Sequence, residues 1–149
     1  MLVHDFEVGD KVVMLPPEHP GHKGSYLALA HERMLNRVLT VSSIPKVQKN
    51  SRKVLTIEGE TLHLLCSRFE PFEYKFTIGE SVVQRPPEHP GHRNATALDE
   101  LYGMVLIVKD QYASQGNLYL NITGPTTSAL WTSRFQPWAR DLYVWQCSD

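Results

Sequence analysis

The heptapeptide Pro16-Pro17-Glu18-His19-Pro20-Gly21-His22 recurs letter for letter as Pro86-Pro87-Glu88-His89-Pro90-Gly91-His92. Such a chain is built from two copies of one unit, each folding around the same proline-stiffened loop. The copies match on both sides of it. Gly9, Val12 and Val13 correspond to Gly79, Val82 and Val83, and Ser67-Arg68-Phe69 with Pro71 corresponds to Ser133-Arg134-Phe135 with Pro137. The repeat divides the sequence into residues 1–73 and 74–149, the second ending in an aromatic tail. Units of about 70 residues lie near the lower limit for a self-sufficient core, so the two are expected to support each other.

Charge narrows the choice of partners. The 149 residues hold 15 Lys and Arg against 16 Asp and Glu, a formal net charge of −1, and the two signs balance within each half. Neither half offers the broad positive field that draws a whole domain to nucleic acid or to an anionic membrane. The opening Met1-Leu2-Val3-His4-Asp5 lacks the charged start and apolar core of a secretion signal, and no apolar run is long enough to span a bilayer. A soluble, cytoplasmic protein is expected. Cys66 and Cys147 do not occupy equivalent repeat positions, so a disulfide framework is not expected and Cys66, beside Leu64-Leu65, reads as an ordinary buried thiol.

Along each unit the signals are those of short strands. Gly9-Asp10 predicts a turn leading into a valine-rich strand, which the prolines at 16 and 17 end because proline donates nothing to a ladder. Ser25 is placed to cap a short helix through residues 26–35, with Leu27, Ala30 and Met34 on one face; Asn94 or Thr96 is placed to cap a shorter one through residues 97–102, ended by Gly103. A hairpin follows, residues 38–44 with 53–59 in the first unit and 104–108 with 118–122 in the second, the latter with a connecting loop over 109–115. A last short strand around Leu64-Leu65 or Leu130-Trp131 leads into Ser-Arg-Phe. Trp131, Phe135 and Trp138 are expected to seal the second unit, and Tyr143-Val144-Trp145 to pack back on the first unit or face a partner. Four or five short strands with one long first loop predict a small barrel or curled sheet.

The opening Phe6-Glu7-Val8-Gly9-Asp10-Lys11-Val12-Val13 and the ending Phe69-Glu70-Pro71 resemble the small SH3-like barrels of the KOW and Tudor-like groups, and in particular short bacteriophage proteins with this opening. The resemblance implies a mainly β fold of two tandem small SH3-like barrels, each with a short helix in its long first loop. It also implies a phage accessory protein that binds and inhibits a host enzyme or defence factor, or a minor virion component.

Chemistry concentrates in the repeated loop. Glu18, His19 and His22, like Glu88, His89 and His92, are residue types that ligate zinc, but structural zinc sites take four ligands, often thiolates, and neither cysteine is near. No nucleophile accompanies the histidines and no glycine-rich phosphate cradle appears, so neither catalysis nor a cofactor is expected. Two readings of the loop carry more weight. In one it is a rigid turn whose histidines bond backbone groups that the prolines leave without ladder partners. In the other it is a preorganised protein-recognition surface of Glu18, His19, His22 and Lys23 with Glu88, His89, His92 and Arg93. A nucleic-acid surface, the competing reading, would use Lys46, Lys49, Arg52 and Lys53 in the first hairpin.

Overall fold

The computed structural model describes residues 2–19, 22, 32–46, 48–49, 52–93, 95, 99–124, 129–139 and 143–147. The chain divides into two compact units, Met1–Phe72 together with Asp141–Asp149, and Glu73–Arg140. Residues Asp141–Asp149 thus group with the first unit, on which Tyr143-Val144-Trp145 were expected to pack unless they faced a partner.

The first unit contains β1 (Leu2–Phe6), β2 (Lys11–Met14), β3 (Leu39–Ser43), β4 (Gln48–Lys49), β5 (Arg52–Ile57), β6 (Leu64–Leu65) and β7 (Phe69–Pro71), with a 3-10 turn at Cys66–Arg68 before the last. Its sheet runs β4-β5-β3-β2-β7, with β6 also pairing β5. The second unit contains β8 (Ser81–Gln84), β9 (Leu106–Ser114), β10 (Asn117–Ile122), β11 (Leu130–Trp131) and β12 (Phe135–Pro137), with the matching 3-10 turn at Thr132–Arg134. Its order is β11-β10-β9-β8-β12. Both sheets are antiparallel. A last strand, β13 (Tyr143–Cys147), pairs in parallel with β1 as a separate two-stranded sheet, Phe6 opposite Cys147.

The copies agree in register as well as in order. Val12 faces Leu39 and Pro71 as Val82 faces Leu106 and Pro137. Each hairpin carries an irregularity at the same place, after Val41 in one unit and at Val108 opposite Ile122 in the other. Alternation explains the cores: Val12, Met14, Leu39, Val41, Leu55 and Phe69 point inward in the first unit, while Val82, Leu106, Val108, Leu120 and Phe135 do so in the second.

Three expectations need correction. The stretch 109–114, expected as a loop, continues β9, because it holds no proline or glycine to stop it and Tyr112 stacks on its cross-strand neighbour Tyr119 with ring centroids 5.6 Å apart. The connection shrinks to Gln115-Gly116, both at positive φ, the two-residue turn whose twist suits a hairpin. Trp138, expected to seal the second unit, is 62% exposed; Phe135 is the residue fully buried there. Cys66 is disulfide-bonded rather than a free thiol. Local apolar neighbours revealed its burial but not its bond, because the partner is not local.

The helix expected at 26–35 lies largely outside the described residues, though Met34 is buried in the first core as its spacing implied. In the second unit the described part of the expected helix is a single 3-10 turn, Asp99–Leu101, followed by Gly103 at φ 77°. No helix among the described residues is long and apolar enough to cross a membrane.

Candidate functional site

The two repeated motifs, the proline-rich heptapeptide and Ser-Arg-Phe, are halves of one structure. Each loop leaves its first strand beneath the 3-10 turn, where Leu15 N–H donates to the Arg68 carbonyl and Arg85 N–H to the Arg134 carbonyl, both at 2.8 Å. The first histidine closes a turn on the first proline, His19 N–H to Pro16 O and His89 N–H to Pro86 O, both at 2.9 Å. The second histidine then reaches back seven residues: His22 Nε2–H donates to Leu15 O and His92 Nε2–H to Arg85 O, both at 3.0 Å. A carbonyl can only accept, so each ring is the Nε2–H tautomer.

The second unit shows the rest of the lock. His89 caps the Pro90–His92 turn, its Nδ1 accepting from Gly91 N–H at 2.9 Å. The Ser133 hydroxyl donates to Gly91 O at 2.6 Å, and Arg85 Nη1 donates to Ser133 O at 2.9 Å. Arg93 holds a left-handed backbone at φ 53° and fans over the seam, donating to the Ser133 hydroxyl, to Asn117 Oδ1 and to the Glu73 carboxylate. The guanidinium carbons of Arg93 and Arg134 each lie 5.4 Å from the Trp131 ring centre, and that of Arg85 lies 5.2 Å from Tyr74. Stacking on aromatic faces offsets part of the cost of burying these charges.

Burial sets the chemistry of the rings. His22 and His92 are 2% exposed. Desolvation is the chief cause holding both imidazoles below their ordinary pKa; the neighbouring Arg68 and Arg134 add to it, while the bonds to Leu15 and Arg85 oppose it. Arg68 and Arg134 are themselves lowered by burial.

Of the residues expected to meet a protein partner, His22, His89 and His92 are buried and Arg93 is committed to the seam, whereas Glu18 and Glu88 are exposed and His19 is half-buried. Lys23 lies outside the described residues. His22, His89 and His92 thus bond backbone groups, as in the rigid-turn reading. Among the described residues no three His, Cys, Asp or Glu side chains gather as a metal site would require. In the first hairpin Lys46 is exposed and Lys49 sits opposite Arg52, but Lys53 sits opposite Gln48.

A surface that the sequence reading passed over stands elsewhere on the second unit. Trp138 N–H donates to Ser81 O, and Ser81 pairs with Ile107, placing Trp138, Ser81 and Ile107 in one row across the sheet. Trp138 is 62% and Ile107 37% exposed. The same row in the first unit is Phe72, Lys11 and Thr40, where Lys11 Nζ donates to Thr40 Oγ1 at 2.7 Å. The signal was available in the repeat alignment, as the exchange of a lysine and a threonine for a serine and an isoleucine.

No protein-family model matches the chain, and no curated protein sequence matches it.

Proposed function

We propose that the chain is a non-catalytic protein-binding module of two SH3-like small barrels, with its binding surface on the outer sheet face of the second unit. The strand order, the long first loop and the 3-10 turn before the final strand support the SH3-like reading of each unit. The observation that carries the function is the row Trp138–Ser81–Ile107. Where the first copy sets a half-buried Phe72 beside a lysine hydrogen-bonded to a threonine, the second presents two exposed apolar side chains, Trp138 and Ile107, with a small residue between them. Trp138 and Ile107 stand two strand spacings apart, roughly 10 Å, room for one aliphatic or aromatic side chain of a partner. At the position of Ile107 the first copy carries the polar Thr40, so an exposed isoleucine there is not a requirement of the fold.

The opening at Phe6–Val13 supports placing the module among bacteriophage accessory proteins, and in that setting it binds and inhibits a host enzyme or defence factor. The test is comparative capture from host lysate, using the wild-type chain, the double variant Trp138→Ala/Ile107→Lys and, as a control, Lys11→Ala on the corresponding row of the first unit. A protein retained by wild type and Lys11→Ala but lost by the double variant supports this surface. An unchanged set of captured proteins removes it. Fluorescence anisotropy with DNA and RNA at low salt covers the nucleic-acid reading: binding that disappears on replacing Lys46, Lys49, Arg52 and Lys53 would transfer the function to the first hairpin.

A further inference from the structure

The two copies differ in what closes the outer face of their hairpins. In the first unit Leu55 and Leu64 stand opposite one another on β5 and β6 and belong to the core. Alternation puts the next pair, Val54 and Leu65, on the other face. That face is closed too, with Val54 1% and Leu65 6% exposed. The backbone of β13 runs against β5 and against the Cys66–Arg68 turn that follows Leu65, and it pairs in parallel with β1. A strand thus bridges three elements of the first unit.

The matching pair in the second unit is Tyr119 and Trp131, opposite one another on β10 and β11. Both are only half-buried, and Tyr112, next in the row, is 42% exposed. Among the described residues no strand of the second unit corresponds to β13. The segment matching β1, residues 73–76, buries Phe76 as β1 buries Phe6 but forms no strand. Side chains stand there instead. Phe6 pairs with Cys147 in the ladder, whereas the Phe76 carbonyl accepts from the side-chain amide of Gln111. Arg93 ties Glu73 to Asn117 and Ser133, which lie on the counterparts of the three elements that β13 touches. Its pair with Glu73 is open to solvent, the two side chains being 27% and 29% exposed.

We propose that this place on the second unit receives an extended segment of a partner protein, which adds in parallel to residues 73–76 and lies over Tyr119 and Trp131. Each molecule has two such places and one terminal strand, which the first unit holds. A second copy of the chain has its own strand engaged in the same way, so the segment comes from another protein. Its chemistry follows from the strand that fills the first place: an uncharged run of β-branched and aromatic residues without proline, of the kind Tyr143-Val144-Trp145-Gln146. Main-chain bonds to 73–76 supply affinity, and alternate side chains meet the two rings. Docking displaces the Gln111 amide and parts Arg93 from Glu73, an exposed ion pair of the kind that contributes little, while Arg93 keeps Ser133 and Asn117. The site is separate from the Trp138–Ser81–Ile107 row and does not rest on it.

The probe is a fluorescein-labelled synthetic peptide of residues 142–147 carrying Cys147→Ser, added to the 149-residue chain. Anisotropy measures binding, and hydrogen exchange read by mass spectrometry locates it. The proposal predicts saturable binding that slows exchange in the stretches 73–77, 117–120 and 130–131. Tyr119→Lys should weaken binding about tenfold; if that variant does not fold, the exchange pattern of the wild type carries the same reading. Trp138→Ala/Ile107→Lys should bind the peptide as wild type does, which keeps failure of this site distinct from failure of the row. Absence of binding at about 1 mM peptide overturns the proposal. So does protection confined to 2–6 and 52–57, which would mean exchange with β13 on the first unit, or self-association of the chain that excludes the peptide, which would make the occupant a second copy.

Discussion

Gly91 lies against the backbone of Ser133 so closely that a methyl group on its α-carbon would stand 1.9 Å from the Ser133 carbonyl oxygen. Its place in the repeated heptapeptide is thus a matter of space. The obstructing atom is backbone of the Ser-Arg-Phe turn, which also accepts from Arg85 and whose serine donates back to Gly91 O. Gly91→Ala must part the two motifs. We expect a loss of about 2–3 kcal/mol, the upper range for overpacking, measured by urea unfolding. A loss below about 0.5 kcal/mol would mean that the turn and loop separate freely.

Removing the second histidine tests the lock from the other side. His92→Ala leaves the buried Arg85 carbonyl without its imidazole donor, and His22→Ala does the same at Leu15. Each should cost about 1–3 kcal/mol, the range for a buried polar group stripped of its partner. Equal losses in the two units would show that the lock contributes alike to both copies.

Stability should fall on mild acidification. His22 and His92 have folded-state pKa values below the ordinary 6.5, so between those values and 6.5 the unfolded chain binds the more protons. Their contribution is complete above pH 6.5 and declines as pH drops from there through the folded values, approaching about 1.4 kcal/mol per pH unit for each ring. Thermal melts from pH 7.5 to 5 on wild type and on His22→Ala/His92→Ala measure this. The variant should lose the steep part of the dependence, and parallel profiles would assign the acid sensitivity to other groups.

Thr132 offers a prediction of opposite sign. It is fully buried, and its hydroxyl has no hydrogen-bond partner. Replacing it by the near-isosteric valine removes a polar atom that gains nothing from burial. Thr132→Val should hold or raise the melting temperature. A clear drop would reveal a partner for the hydroxyl.

Arg93 separates side chain from backbone. Its left-handed conformation costs an L-residue about 1 kcal/mol that glycine does not incur. Arg93→Ala should therefore be less stable than Arg93→Gly by about that amount, and both less stable than wild type through loss of the bonds to Ser133, Asn117 and Glu73. Chemical denaturation of the three proteins decides it; an alanine variant as stable as the glycine variant would mean that the backbone relaxes.

Sequence determined the duplication, the strands that follow Gly9 and Gly79, the hairpins, the short strands before Ser-Arg-Phe and the stiffness of the heptapeptide, because each rests on residues close along the chain. Valine alternation, proline without a donor and glycine at positive φ act locally and act alike in both copies. The tertiary structure decided what those pieces meet. Of the two readings of the loop, rigid turn or partner contact, His22 and His92 take the first, their imidazoles turned onto the Leu15 and Arg85 carbonyls beneath the Ser-Arg-Phe turns. Cys66 is drawn into a disulfide, β13 is carried back to β1, and Trp138 stays in solvent while Phe135 is buried. The disulfide, the pairing of β13 with β1 and the burial of Phe135 have no local signature: they depend on which distant segments meet, and two copies of one sequence pattern differ where their surroundings do.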